Sequence, residues 1–363
     1  NTDDWARMPA IQKDGKIVVA GSTRGNPNNN LGWDAVLVRY DPDGSLDTSF
    51  GSNGKVVVDV NGQKNADVFN DLAFQSNGKI IAVGYTYPGS NRFLIMRFNT
   101  DGSIDSTFGT NGVVIAHFST NTLEDATSVQ VLDDDTIVVA GSGVNSDGKS
   151  TACLLRLTAD GALDTSFSSD GKLTRVVGVS SNLPVVAIDS SNRVVLGDKV
   201  KPNSSADGKF IVLRYNLDGS LDTSFGNGGV ITTGFQGQSE VYMTGLGHQG
   251  DGKIVATGYV KYDNDIAVVR YNANGTLDTG FDGEDGKVTT DISRYDYAKN
   301  LALQADGKIL VAADVYNAGE EPSQQFCVLR YGEFVSYVKG DLNGDRGLSL
   351  IDVLMALKVC CAM

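Results

Sequence analysis

The phrase DGKIVVAG at residues 14–21 decides the fold, because it returns five more times at nearly regular intervals. The returns are NGKIIAVG (77–84), DDTIVVAG (134–141), SNRVVLGD (191–198), DGKIVATG (251–258) and DGKILVAA (306–313). Equivalent residues are separated by 63, 57, 57, 60 and 55 positions. Because self-similarity at a steady period indicates a repeat architecture, the sequence predicts six tandem units of about sixty residues.

Two further phrases follow the first one in a fixed order. The second phrase ends in an arginine, usually followed by an aromatic residue, and occurs six times, at Arg39, Arg97, Arg156, Arg214, Arg270 and Arg330. The third phrase, DGSLDTSFG at residues 43–51, recurs at residues 101–109, 160–168, 218–226 and 274–282. The sixth unit lacks it and has GEFVS at residues 332–336 instead.

Each unit divides into four short strands, which in the second unit we expect at residues 71–75, 79–84, 93–98 and 113–118. Asx-Gly dipeptides, which favour tight turns, separate several of them. Four antiparallel strands per repeat are typical of a propeller blade, and no helical periodicity appears before residue 350. The sequence therefore predicts an all-β fold, a six-bladed β-propeller over residues 1–338.

The two ends of this array are in phase with the repeat. Residues 5–12 align with the first strand of the second unit, and the sixth unit is complete near Val338. We therefore expect every blade to be built from its own consecutive strands, without strand exchange between the first and last units.

Charge and hydropathy exclude several classes of partner. The 363 residues carry a formal net charge of −14, whereas binding to nucleic acid needs a basic surface. No apolar run is long enough to predict a membrane span. The chain begins at Asn1 without an initiator Met, which fits a processed exported protein, so we expect a secreted or cell-surface location. Cys153 and Cys327 lie in apolar strand patterns and are predicted to be buried thiols, while Cys360 and Cys361 form an adjacent terminal pair.

The polar residues that recur in every unit are interpreted as architectural. In the turn around Asp41, Asp43 and Asp47, Asx side chains can bond their own backbone and the last Asp can cap the next turn. A weak calcium loop in each blade is the alternative. Arg39 and its equivalents are expected to pair with the Asp of the LDTSF phrase or with loop carbonyls. The sequence assigns no catalytic residue, and His117 and His248 do not have the spacing of metal ligands.

The three phrases resemble the delta-60 repeat of uncharacterised bacterial proteins, many of them exported. The resemblance covers residues 5–338 and implies a propeller-like fold without a known chemistry.

The segment GDLNGDRGLSLIDVLMALKV at residues 340–359 resembles one half of a type I dockerin, a calcium loop followed by a helix. The resemblance implies that residues 339–363 form a separate calcium-binding segment. Arg346 stands where the tight turn of such a loop prefers Gly, and a second loop-helix copy is absent. The implied calcium ligands are Asp341, Asn343, Asp345, the carbonyl of Gly347, Ser349 and Asp352.

The helix expected after this loop is apolar nearly all round, which predicts that a second surface covers it. Its docking residues are predicted to be Ile351, Leu354, Met355, Leu357 and Val359. The expected partner is another copy of this chain or a cohesin-like domain.

Three functions remain open from the sequence. The leading interpretation is a non-enzymatic extracellular binding and assembly protein, a rigid propeller platform with a calcium-ordered docking segment. A carbohydrate-binding propeller is the first alternative, because the irregular loops at residues 23–33, 85–91 and 316–325 combine aromatic and polar residues. A propeller hydrolase or lyase with a site in its channel is the second.

Overall fold

The computed structural model describes residues 4–24, 32–60, 66–87, 90–118, 124–178, 183–261, 264–281, 285–316, 324–332 and 336–339. Across these ranges the chain forms 24 β-strands and no helix, and therefore no helix that could cross a membrane. The calcium loop and the helix predicted after Lys339 lie outside the described residues.

The chain divides into two compact units, Asn1–Gly178 with Leu217–Gly219, and Val179–Asn216 with Ser220–Met363. The first unit contains β1 (Asp4–Ile11), β2 (Ile17–Arg24), β3 (Trp33–Tyr40), β4 (Lys55–Val58), β5 (Asp67–Phe74), β6 (Ile80–Thr86), β7 (Arg92–Phe98), β8 (Val113–Ala116), β9 (Asp125–Val131), β10 (Ile137–Val144), β11 (Ser150–Leu157) and β12 (Lys172–Gly178). The second unit contains β13 (Val185–Ile188), β14 (Val194–Val200), β15 (Lys209–Tyr215), β16 (Val230–Thr233), β17 (Val241–His248), β18 (Ile254–Val260), β19 (Ile266–Tyr271), β20 (Lys287–Thr290), β21 (Tyr295–Leu303), β22 (Ile309–Tyr316), β23 (Gln324–Tyr331) and β24 (Ser336–Lys339).

Every four consecutive strands form one antiparallel sheet in sequence order, so each unit holds three four-stranded blades. This confirms the all-β class and the four strands expected per repeat. The first strand of the second blade is longer than expected, since β5 spans Asp67–Phe74 rather than residues 71–75. Its extra residues pair with the end of β6, which continues to Thr86.

The first and last blades are each built from their own strands, as predicted. β1 pairs with β2 over its whole length. β24 pairs with β23, where Val338 lies opposite Val328. The sixth blade therefore takes its outer strand from the residues that directly follow its arginine phrase.

The hydrophobic core of each unit lies between neighbouring blades. The phrase IVVAG of β2 is buried on both faces of its sheet, which explains why it reads as a continuous apolar run. In the first unit, Leu37 and Phe50 of the first blade share a buried cluster with Phe69 and Phe98 of the second. In the second unit, the fourth and fifth blades share a buried cluster in the same way, with Phe210, Phe225, Met243, Ile254 and Tyr271.

The glycine that ends the first phrase has a steric function. A Cβ at Gly84 would lie 1.9 Å from the carbonyl oxygen of Val68 on the neighbouring first strand. That strand has a β-bulge between Phe69 and Asp71, which shifts its backbone register at this point. The same carbonyl contact, at 1.9 to 2.1 Å, exists at Gly21, Gly141 and Gly258.

The fourth blade departs from this pattern. Its residue at the glycine position is Asp198, which is fully buried and accepts a hydrogen bond from the backbone N–H of Lys199. The first strand of this blade, β13, has four residues, whereas β5 and β17 have eight. The blade therefore accommodates a charged residue at a position that is glycine in four blades and Ala313 in the sixth.

We predict that Gly84→Ala lowers the free energy of unfolding by about 1–3 kcal/mol, because a side chain there must displace the bulged strand. Gly250→Ala is the matched control, since its Cβ would meet no atom within 4 Å. Urea unfolding followed by circular dichroism measures both variants. Equal midpoints for the two variants would contradict the steric explanation.

Candidate functional site

The repeated arginines form one type of contact in five blades. Each pairs through Nε with a carboxylate oxygen of the aspartate eight residues later in the LDTSF phrase. The distances are 2.6 Å for Arg39–Asp47, Arg97–Asp105 and Arg156–Asp164, 2.8 Å for Arg214–Asp222 and 2.7 Å for Arg270–Asp278. This confirms the pairing predicted from the sequence.

The same guanidinium groups also connect successive blades. Arg39 donates to the carbonyl oxygen of Thr100, which precedes the next Asp-Gly turn, and Arg214 donates at 2.7 Å to that of Ala273. The guanidinium of Arg39 lies 4.4 Å from the ring centroid of Phe50, a cation–π contact. Arg39 and Arg214 therefore each join their own turn to the adjacent blade.

The basic residue of the first phrase completes this arrangement. Lys16 Nζ lies 2.7 Å from Asp41 and 2.8 Å from Asp47. Burial alone raises the pKa of Asp47, but hydrogen bonds from Lys16, Ser49 and Arg39 outweigh it and hold that pKa well below its ordinary value. The cation between these two carboxylates is thus the ammonium group of Lys16, which supports the architectural interpretation of the turn. We call each pair of arginine and aspartate, together with the first-phrase cation where one is present, a blade station; the third blade has Thr136 at the position of the cation.

The sixth blade has an incomplete station. Val338 stands eight residues after Arg330, where the other blades have the aspartate. The first-phrase lysine of this blade, Lys308, pairs with its neighbour Asp306 instead. The missing third phrase therefore removes the acidic partner of the station.

At the opposite end of the blades, four tyrosines of the second unit form a continuous line of ring contacts. We call Tyr242, Tyr259, Tyr297 and Tyr316 the tyrosine row. Tyr242 and Tyr259 lie opposite each other on β17 and β18 and stack with centroids 4.9 Å apart. Tyr297 meets Tyr259 edge-on at 5.0 Å, and Tyr316 meets Tyr297 edge-on at 5.7 Å. All four side chains are half-buried.

Charged side chains lie beside the row. Lys199 Nζ lies 4.2 Å from the ring centroid of Tyr242 and 2.6 Å from Glu240 Oε2. Burial alone raises the pKa of Glu240, but hydrogen bonds from Lys199 and Lys201 outweigh it and lower that pKa. Lys299 Nζ lies 5.8 Å from the ring centroid of Tyr297 and pairs with Asp314 at 3.0 Å. The row therefore combines aromatic faces with fixed hydrogen-bond donors and acceptors.

The first unit has a smaller aromatic group at the equivalent end of its first blade. Trp5 and Trp33 lie 5.4 Å apart, and their ring planes are tilted by 57°. Arg7 and Arg24 lie over these rings at 5.1 and 5.8 Å. Trp5 is 53% exposed, so this pair also reaches the surface.

Other titratable groups do not form a metal site. Among the described residues, no group of three or more His, Cys, Asp or Glu side chains could hold a metal ion. His117 contacts the buried Glu124 at 3.2 Å, and its ring also contacts Arg92. Cys153 and Cys327 are buried, as predicted, and neither forms a disulfide bond.

The residues predicted to bind calcium and to dock a partner lie outside the described residues. These are Asp341, Asn343, Asp345, Gly347, Ser349 and Asp352 in the loop, and Ile351, Leu354, Met355, Leu357 and Val359 in the helix. Parts of the three irregular loops also lie outside them, at residues 25–31, 88–89 and 317–323. Of the loop residues, Tyr316 belongs to the tyrosine row.

Sequence reasoning missed the other three members of the row, Tyr242, Tyr259 and Tyr297. A signal was present, since the residue after the steric glycine differs from blade to blade. It is Ser22, Tyr85, Ser142, Lys199, Tyr259 and Asp314 in the six blades. Because aromatic, charged and small polar residues all occur at this position, the end of the blades that carries it is the variable end.

These contacts define a β-propeller repeat protein whose recurring charged residues hold its blades together. The chain belongs to the family described as Domain of unknown function (DUF5122) beta-propeller, whose model matches residues 12–50, 75–108, 132–167, 204–225, 249–281 and 304–332. Each matched segment covers part of one blade. No relative among curated proteins matches the chain.

Solved structures show the same fold at low sequence identity. A protein of unknown function from Dyadobacter fermentans is 15% identical, with a TM-score of 0.51 over 94% of this chain and 96% of that chain. An ulvan lyase is 11% identical, with a TM-score of 0.50 over 93% of this chain and 86% of that chain. The β-propeller domain of the Trilobed protease from Pyrococcus furiosus is 14% identical, with a TM-score of 0.49 over 93% and 84%. At such identities the first two show the fold alone.

We predict that Asp47→Ala and Asp222→Ala each lower the free energy of unfolding by about 3 kcal/mol, because each leaves a buried arginine without its partner. Arg39 and Arg214 are 7% and 4% exposed. Asp207→Ala, at an exposed position, is the control. Thermal melts that place all three variants at the wild-type midpoint would refute the structural role of the stations.

We also predict a common acid sensitivity. The pKa values of Asp47, Asp105, Asp164, Asp222 and Asp278 are all lowered, because hydrogen bonds and ion pairs outweigh the effect of burial. A lowered native pKa means that the stabilising charge is complete above about pH 5 and is lost as the pH falls below about 4. The free energy of unfolding, measured from about pH 5 downward, should therefore decrease as the pH is lowered below about 4. A flat profile would show that the stations contribute little.

Proposed function

We propose that this protein is a non-enzymatic extracellular binding and assembly protein. In it, the β-propeller is a rigid platform, and a calcium-ordered C-terminal segment docks a protein partner. The observation that carries the proposal is the difference between the two ends of each blade. One end is occupied by repeated charged contacts that hold blades together, and the other carries residues that vary from blade to blade.

Several perturbed carboxyl groups support a non-enzymatic role, because backbone or ion-pair contacts already engage them. Burial raises the pKa of Asp71 to about 7, and this residue accepts hydrogen bonds from the backbone N–H groups of Leu72 and Val129. Val129 belongs to the neighbouring blade, so the carboxyl group connects two strands. The aspartates of the stations bind arginines in the same structural sense.

The C-terminal segment supplies the assembly function in this proposal. Asp341, Asp345 and Asp352 with the amide of Asn343 are a set of oxygen donors suited to a hard cation such as Ca²⁺. Arg346 replaces the Gly of the tight turn and is expected to weaken the site by about 1 kcal/mol. The apolar helix that follows would then dock onto a second copy of this chain or onto a cohesin-like domain. The delta-60 resemblance and the acidic composition support a secreted or cell-surface location.

We predict that the intact chain associates in the presence of calcium. Sedimentation velocity should show a larger species with calcium and a monomer with chelator. Asp341→Ala with Asp345→Ala should remain monomeric in both conditions, since the loop loses two carboxylates. Asp207→Ala, which also removes a surface acid, should behave like the wild type.

A cohesin-like domain added to the same samples identifies the partner. If the intact chain remains a monomer alone but binds that domain with calcium, the segment docks a foreign partner. If no chain associates with itself or with the domain under any condition, the docking function is wrong.

A further inference from the structure

We propose that the tyrosine row of the second unit binds a carbohydrate chain. The proposal rests on the proposed function in one respect, because it takes the propeller as a binding platform. It adds a ligand class and a site, formed by Tyr242, Tyr259, Tyr297 and Tyr316 with the flanking ion pairs of Lys199 and Lys299.

The shape of the row fits a narrow, extended polymer. Four rings follow one another with centroid separations of 4.9, 5.0 and 5.7 Å. The planes of Tyr242 and Tyr259 differ by 15° and those of Tyr259 and Tyr297 by 86°, so a stacked contact is followed by an edge-on contact along the row. Sugar rings pack their C–H faces on aromatic faces, and a linear chain of sugars can contact several such rings in succession.

The polar groups of the row match the hydroxyl groups of a sugar. Within the described part of the chain, no hydrogen bond ends on the phenolic oxygens of these four tyrosines. Burial, together with Tyr242 and Tyr297, raises the pKa of Tyr259 to about 12, so its hydroxyl stays protonated at neutral pH and can donate. Glu240 and Asp314 supply carboxylate acceptors, and Lys199 and Lys299 supply donors.

The row is already ordered before any ligand binds. Its members lie on β17, β18, β21 and β22 rather than on loops. Lys199 is 3% exposed and holds the first ring by its ammonium group. The protein therefore loses little conformational entropy when a ligand binds.

The fold itself does not require these tyrosines. The position of Tyr259 is Ser22 in the first blade and Ser142 in the third. The position of Tyr242 and Tyr297 is Val68 in the second blade and Asp125 in the third. Since the third blade forms without an aromatic residue at either position, the fold does not require the row, and a surface function explains it.

Other ligand classes fit less well. Stable protein interfaces have a broad, largely apolar centre, whereas ion pairs of Lys199 and Lys299 lie directly beside the rings of this row. Single-stranded nucleic acid also stacks on aromatic rings, but it needs a basic groove, and the chain carries a net charge of −14. A chain of sugars uses the rings and the polar groups together.

The test uses the full chain and a panel of fluorescently labelled hexasaccharides with neutral, acidic and amino sugars. Fluorescence anisotropy measures affinity for wild type, Tyr259→Ala and Tyr297→Ala. We expect binding to at least one hexasaccharide and a loss of about tenfold or more in each variant. Tyr85→Ala, at the position of Tyr259 in the second blade, should bind like the wild type.

Two further variants serve as controls. The first distinguishes a loss of folding from a loss of binding, and the second distinguishes sugar binding from the proposed assembly function. Tyr259→Phe keeps the stacked ring and removes only the hydroxyl, so it should fold normally and lose less affinity than Tyr259→Ala. Asp341→Ala with Asp345→Ala should keep full sugar binding, whatever its effect on association. Absence of binding to every hexasaccharide, or equal binding by wild type and folded row variants, would overturn the inference.

Discussion

The ion pair between the repeated arginine and the aspartate eight residues later, present in five blades, is the interaction on which the blade architecture depends. A buried guanidinium needs several acceptors, and here it finds the carboxylate within its own blade and a carbonyl in the next. The aromatic ring of the same phrase covers it. One side chain therefore holds the turn of its own blade and fixes how that turn packs against the next blade.

This interaction also explains how much the sequence could predict. Strand number, turn positions and the pairing of Arg39 with Asp47 all follow from local periodicity and from repeated chemistry. The extended start of β5 could not be predicted in the same way, because it depends on a bulge whose register is set by the neighbouring strand. The steric reason for Gly84 likewise appears only when the carbonyl of Val68 is placed opposite it.

The tyrosine row was hidden from the sequence for a related reason. Tyr259 and Tyr297 belong to different blades, and no phrase brings them together along the chain. Their contact depends on the register of β17 with β18 and on the packing of β18 against β21. The sequence predicted a carbohydrate site in loops of irregular length, whereas the residues of the row lie in regular β-strands.

The two ends of the blades thus evolve under different constraints. At the station end, a change in one repeat disturbs both that blade and its neighbour, so identical residues recur. At the other end, Ser22, Lys199 and Tyr259 occupy equivalent positions, so the position that follows Gly21, Asp198 and Gly258 accommodates side chains of different size and charge. The fourth blade extends this tolerance, since Asp198 replaces the glycine itself beside a shortened first strand.

Because its station is incomplete, the sixth repeat differs from the internal repeats in what a duplicated copy of it would contain. A duplicated internal repeat would carry both the arginine and the aspartate phrase, together with the turn that receives its neighbour. A copy of the sixth repeat would carry Arg330 and Val338, but it would lack the third phrase, with its aspartate and the turn that contacts the following blade. Duplication of an internal repeat would therefore reproduce the contacts between successive blades, whereas duplication of the sixth repeat would not.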